Sequence, residues 1–398
     1  MSRDILDKPT ESAATEQATA ERQAHGAIVG SRSEIAAQTQ TGTAGQALVA
    51  WWRQTVPGPV RRIGLQVLIT VIVVLIVLPL ASLAGLVSGR PSTTSSSQNN
   101  MSNMPGMTTT SSGASTAKVA DHPLYDAQPA VAPTGDTVNV SLVAKPELLT
   151  IAPGVAYHAW TFNGTVPGPI IRVRQGQTIH FTLTNQDTMP HSIDFHAAQT
   201  AWNVNYQPVA PGKSLTFDWK ADYPGVFMYH CGTPPPMVHI ANGMYGAIIV
   251  DPASGWAPAQ EYVLVQSEFY TQKMADGTYQ LDGNAMMSAA PTYTVFNGYV
   301  AQYKDHPLTA KVGQKVRLFI MNAGPSHFSA FHIIGAIFSD YYVDGNPANH
   351  MVGNQTITVP PGGGAVVELT IPGAGAYPFV THSFSDMDKG AVGVLKVE

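Results

Sequence analysis

The feature that most limits the fold is an internal repeat in the second two thirds of the chain. F-N-G stands at 162–164 and again at 296–298, and R-V-R-Q-G-Q-T-I from Arg172 is answered by A-K-V-G-Q-K-V from Ala310. H-S-I-D-F-H at 191–196 is likewise answered by H-F-S-A-F-H at 327–332. Each copy closes on a glycine turn and a strand carrying a histidine, P-G-V-F-M-Y-H-C at 224–231 and G-A-Y-P-F-V-T-H-S at 375–383. Two copies of about 130 residues, built of short alternating segments with Gly/Pro turns, predict tandem Greek-key β-sandwiches. The expected fold is all-β, with domains at 121–255 and 256–398.

The residues before the repeat have a different character. Residues 1–50 are rich in Ala, Thr, Gln, Ser and Glu without apolar periodicity, which predicts a disordered tail. Ile63 to Val87 is an apolar run long enough to span a bilayer as one transmembrane helix. It exceeds the h-region of a signal peptide, so an uncleaved anchor is expected. Arg53, Arg61 and Arg62 precede it, and Arg90 alone follows closely. The positive-inside rule then predicts a cytoplasmic N-terminus and an extracytoplasmic head held to the membrane. Residues 91–120 read as a flexible Ser/Thr/Met linker, in which Met101, Met104 and Met107 could catch Cu(I) but are more simply incidental. The formal charge of -5 gives no basic surface, and no nucleic-acid partner is expected.

Cys231 is the single cysteine, so no disulfide can form within the chain. His239 and Met244 follow it on one Gly/Pro-rich stretch, Y-H-C-G-T-P-P-P-M-V-H-I-A-N-G-M-Y-G. A thiolate, an imidazole and a weak thioether, completed by a second histidine, form the ligand set of a blue copper site. His230 precedes Cys231 on an expected strand, so the two side chains point to opposite faces. His191 and His196 are separated by an odd number of positions on another expected strand, which also sends them to opposite faces. His191 is thereby assigned to the blue copper with Cys231, His239 and Met244. His196 is assigned with His230 to a second metal outside the domain, and Asp194 shares its face. In the second copy Ser383 replaces Cys231 and Ala391 replaces Met244, so no blue copper site is possible there. That copy keeps His382 in the place of His230 and His332 in the place of His196. Two imidazoles from one domain and His382 from the other predict a three-histidine copper with an open position, as catalysis requires. The adjacency of Cys231 and His230 offers a covalent path for electrons.

M-P-H-S-I-D-F-H-A, Y-H-C with H-I-A-N-G-M-Y-G, F-H-I-I-G and V-T-H-S together resemble the copper-containing nitrite reductases, two-domain cupredoxins, over Asp121 to Glu398. The resemblance implies a type 1 copper at His191, Cys231, His239 and Met244 and a type 2 copper at His196, His230 and His382, one of each per subunit. It implies reduction of nitrite to nitric oxide, with the electron passing from the first site to the second through Cys231 and His230. Asp194 and His332 match the family's proton-handling pair, and Ile334 matches the isoleucine over the bound ligand. A homotrimer is implied, with His382 supplied by a neighbouring chain. So is a small electron-donor protein, such as a cupredoxin or c-type cytochrome. Two stretches depart from the family. Gln199 to Gln207, with Trp202, stands where a glycine-rich run is common, and Ile337 occupies a channel position that is histidine in some members.

A laccase-like oxidase would need paired H-x-H motifs, but Ala-Ala follows His196 and Cys follows His230. A copper electron-transfer or copper-handling protein is the rival outside enzymes, and retention of all three type 2 histidines with Asp194 and His332 argues against it. His158, His180, His306 and His350 read as ordinary core or surface histidines. His327 aligns with His191, but no cysteine in its copy could join it.

Overall fold

The structure is a computed structural model that describes residues 126–398. In chain order the strands of the first copy are β1 (Thr137–Ala152), β2 (Val155–Phe162), β3 (Ile171–Arg174), β4 (Thr178–Asn185), β5 (Asp194–Phe195), β6 (Ser214–Lys220), β7 (Gly225–His230) and β8 (Tyr245–Asp251). They are followed by β9 (Gln260–Phe269), β10 (Thr271–Lys273), β11 (Tyr279–Leu281), β12 (Tyr293–Phe296), β13 (Leu308–Ala310) and β14 (Lys315–Gly324). The remainder are β15 (Ser329–Ile333), β16 (Phe338–Val343), β17 (His350–Asn354), β18 (Thr356–Val359), β19 (Gly364–Thr370), β20 (Gly375–Thr381) and β21 (Val392–Val397).

These strands form four sheets, with orders β10-β11-β2-β1-β4-β6, β3-β8-β7-β5, β12-β9-β14-β19-β16-β17 and β13-β21-β20-β15-β18. The first two sheets enclose one core, including Phe162, Ile179, Phe181, Phe195, Tyr229 and Ile248. The last two enclose another, including Leu264, Leu318, Phe331, Val367 and Phe379. The all-β sandwich expectation therefore holds. Strand β4 shows the cause: Ile179, Phe181 and Leu183 point inward, while Thr178, His180, Thr182 and Thr184 alternate outward. The F-N-G turns repeat in structure as well. Asn163 and Asn297 adopt positive φ of 58° and 53°, and their side-chain oxygens accept the N–H groups of Val143 and Val265, each at 2.7 Å.

Strand β8 is buried along its whole length, because Ile248 and Val250 enter the first core while Ala247 and Ile249 enter a third apolar cluster shared with β9, β14 and β19. Val226 and Met228 of β7 join the same shared cluster, so the two sandwiches meet through the outer face of β7 and β8. A buried ion network lies beside this seam. Arg172 reaches Asp251 at 2.9 Å and Glu261 at 2.7 Å, and Arg317 reaches Glu261 at 2.7 Å and also pairs with Glu368. The hairpin of β10 and β11 crosses back to the first sheet, where Tyr279 pairs with Tyr157.

The expectation of a membrane-anchored protein is corrected. Among the described residues no helix is long and apolar enough to cross a membrane. The expected span, 63–87, lies outside the described residues, as do the tail at 1–50 and the linker at 91–120. The transmembrane helix, the membrane as a partner and the extracytoplasmic placement that depended on it therefore have no structural support.

Candidate copper centres

Strand β7 delivers His230 to its outer face and ends there, leaving Cys231 to turn back into the first core. The segment 191–196 is not the continuous strand that the parity argument used. His191 makes an isolated bridge to Val209, and the only ladder in the segment is Asp194–Phe195. The outcome is nonetheless the expected one. His191 is fully buried and His196 is exposed. His239 sits on a short helix, α1 (Pro236–Ala241), that opens with proline at its first position, where a missing N–H costs nothing.

The first cluster brings together His191, Cys231 and His239, whose donor atoms lie within 4.8 Å of one another. Nδ1 of His191 and Nδ1 of His239 are 3.2 Å apart, and Sγ of Cys231 is 3.9 Å and 3.3 Å from them. Met244 is fully buried in the same core, its carbonyl accepting the Cys231 N–H and its own N–H donating to the His239 carbonyl, each at 3.1 Å. One soft sulfur and two imidazoles converging in a dry site suit copper. The Ser192 N–H donates to Sγ at 3.3 Å. Burial alone would raise the Cys231 thiol, but its hydrogen bonds with His191 and His239 outweigh that and hold it well below the usual thiol range. Burial likewise opposes charge on His191, yet bonds to Asp187 and Cys231 prevail and the ring is pushed up to about 8.

The second cluster brings together Asp194, His196 and His230. Nε2 of His196 and Nε2 of His230 are 3.1 Å apart, and Oδ2 of Asp194 lies 3.8 Å from the latter. The Nδ1–H of His230 donates to the Cys231 carbonyl at 3.0 Å, and that of His196 donates to the Gly362 carbonyl at 3.2 Å. Both rings are therefore held in the tautomer that turns a bare Nε2 toward the shared point. Although His196 reaches the surface, its ring nitrogens are turned against Gly362 and His230, and the desolvation there, with the neighbouring His230 charge, holds its pKa below the ordinary value.

The remaining expected residues gather elsewhere. His332 lies on β15 with Nδ1 2.6 Å from the Gln355 carbonyl, and its ring stands 5.6 Å from that of His382. His382 is exposed just beyond β20, and Ile334 is exposed beside β15. Among the described residues the second donor cluster contains neither His382 nor His332. Ile337 is exposed, and so is Trp202, on a short helix (Trp202–Asn205) that buries none of its residues.

Three contacts were not anticipated. Asp187 lies 2.9 Å from Nε2 of His191, Gly362 reaches His196 from the second sandwich, and the Trp160 ring stands 4.9 Å from that of His239. Only Asp187 left a local signal, a carboxylate four residues before His191 in a polar turn.

Residues 144–255 match the Multicopper oxidase family. The copper-containing nitrite reductase of Neisseria meningitidis serogroup B is 42% identical over 270 residues, covering 66% of this chain and 69% of the relative. The copper-containing nitrite reductase of Alcaligenes faecalis is 33% identical over 309 residues, covering 70% of this chain and 81% of the relative. The copper nitrite reductase structure from Nitrosomonas europaea superimposes with a TM-score of 0.62 at 39% identity, over 66% of this chain and 94% of that one. With its two donor clusters and relatives matched over two thirds or more of their length, this chain belongs to the copper-containing nitrite reductase family.

Proposed function

We propose that, in this copper-dependent nitrite reductase, His191, Cys231, His239 and Met244 hold a type 1 copper and His196, His230 and His382 hold a type 2 copper. When bound, the first ion accepts a single electron and the second polarises nitrite as a Lewis acid. The observation that carries the reading is a peptide bond. Cys231 belongs to one donor cluster and His230 to the other, so a covalent path of adjacent residues joins the two.

One electron and two protons convert nitrite to nitric oxide and water. Asp194, at the edge of the second cluster, is placed to hold a proton near the oxygen that leaves. His332 is the second proton-handling residue, and Ile334 supplies an apolar wall over the bound anion. The rings of His332 and His382 stand together on the second sandwich, and neither joins the donor cluster of Asp194, His196 and His230, so a second copy of the chain is the source that completes the site. The same argument makes each complete type 2 site a joint product of two chains.

The test is nitric oxide formation from nitrite by the copper-loaded protein with a one-electron donor. The intense thiolate-to-copper absorption should be present in the parent protein and absent in Cys231→Ser, which offers oxygen in place of a thiolate. A band that survives in Cys231→Ser would overturn the type 1 assignment.

A further inference from the structure

The two nitrogens of His191 face different partners. Nδ1 looks toward Cys231 and His239, whereas Nε2 lies 2.9 Å from Oδ2 of Asp187. Both side chains are buried, the imidazole fully and the carboxylate to within 6% of its surface. A carboxylate is costly to bury unless its oxygens are paired, and this one is held on both sides. Its Oδ1 accepts the Thr188 N–H at 2.5 Å and the Thr188 hydroxyl at 3.2 Å. The Asp187 N–H donates to Oδ1 of Asn185 at 2.9 Å, and the Asn185 amide donates to the carbonyls of Met189 and Val209, each at 2.8 Å. The turn thus presents one carboxylate oxygen to the imidazole and immobilises the other.

We propose that Asp187 is a positioning residue for the type 1 copper. It accepts the Nε2–H of His191, which leaves Nδ1 as the ligand atom, and it sets a fixed negative charge behind that ligand. Cu(II) carries one more positive charge than Cu(I), so a nearby buried carboxylate stabilises the oxidised ion more. The consequence is a lower reduction potential and a stronger reductant for the next transfer. A partner carboxylate on a metal-bound histidine also raises the basicity of the ligand and fixes its ring. The inference rests on the assignment of His191 to the type 1 site.

Asp187→Asn in the copper-loaded full chain separates charge from shape, since the amide oxygen still accepts Nε2–H. The thiolate-to-copper band should persist while the ratio of Cu(I) to Cu(II) affinity rises about tenfold, an upward shift of about 59 mV for one electron. Asp187→Ala should move the potential in the same direction. The proposal is overturned if both variants keep the band and the parent potential. Should either variant fail to fold or to load copper, 15N spectra of the Cu(I)-loaded parent decide. A protonated, hydrogen-bonded Nε2 on His191 supports the proposal, and a bare or metal-bound Nε2 overturns it. The band reports the type 1 assignment, whereas the potential and the 15N signal report the carboxylate, so failure of one is distinguishable from failure of the other.

Discussion

Asp194 and His230 stand directly opposite each other in the antiparallel ladder of β5 and β7, with Oδ2 of the aspartate 3.8 Å from Nε2 of the histidine. Because the ladder fixes both backbones, the carboxylate is held at the edge of the second cluster, beside the His230 ring. Asp194→Asn keeps size but cannot carry a proton, so nitrite turnover should fall about a hundredfold or more, the usual scale of lost acid–base catalysis. Type 2 copper content should stay at the parent level. Full activity with full copper would remove Asp194 from the proton path.

The separation of His382 from His196 and His230 makes a prediction about assembly. His382→Ala and His196→Ala chains should each be inactive alone. Mixed assemblies should regain activity, because an intact His196 from one chain can meet an intact His382 from the other. Mixed assemblies that form without any recovery, measured as nitric oxide release, would place the whole site within one chain.

Gly362 carries a positive φ of 78°, and a Cβ there would stand 3.1 Å from Cε1 of His196. Gly362→Ala should therefore cost roughly 1–2 kcal/mol of stability for the left-handed backbone. It should also push the His196 ring off the carbonyl that orients it. Type 2 copper content should fall well below type 1 content when the thiolate band and the type 2 paramagnetic signal are compared on one sample. Equal loss of both coppers would mean a general folding defect instead.

Where the first copy carries a cluster of one sulfur and two imidazoles, the second carries an ion pair. Nδ1 of His327 is 2.9 Å from Oδ1 of buried Asp386 and its Nε2 is 2.9 Å from the Ala289 carbonyl, while the Ser383 hydroxyl donates to Oδ2 of Asp386 at 2.8 Å. Burial pulls the His327 pKa down, but these acceptors outweigh it and hold it above the ordinary value. A raised histidine stabilises the fold fully below its unfolded value of about 6.5, and this contribution is lost as pH rises through the folded value. His327→Gln should thus cost about 1–2 kcal/mol in urea unfolding near pH 5.5 and much less near pH 9. An equal cost at both pH values would show that the charged ring contributes nothing.

The donors that gather in the two clusters, His191, Cys231 and His239 in one and His196 and His230 in the other, were legible in the sequence because they are local chemistry. One cysteine, with a histidine and a methionine close behind it on the same stretch, restricts the donors before any fold is known. The repeat in turn exposed the second sandwich and the histidines that it keeps. The opposite placement of His230 and Cys231 also followed from residue order, since neighbours at a strand end face opposite ways. The same rule reached His191 and His196 by a strand that the chain does not form, and the result survived because the segment still turns one imidazole inward and the other outward.

Only the tertiary structure decided which partners hold those ligands. The Gly362 carbonyl orients His196 across 166 residues of sequence, and Arg317 finds Glu368 across 51. No local pattern encodes such contacts, because hydrogen bonds and ion pairs depend on where two sandwiches meet and not on spacing along the chain. Residue types name the candidate donors, but the β5–β7 ladder and the Gly362 carbonyl of the second sandwich bring His196 and His230 together, while His382 lies outside their cluster.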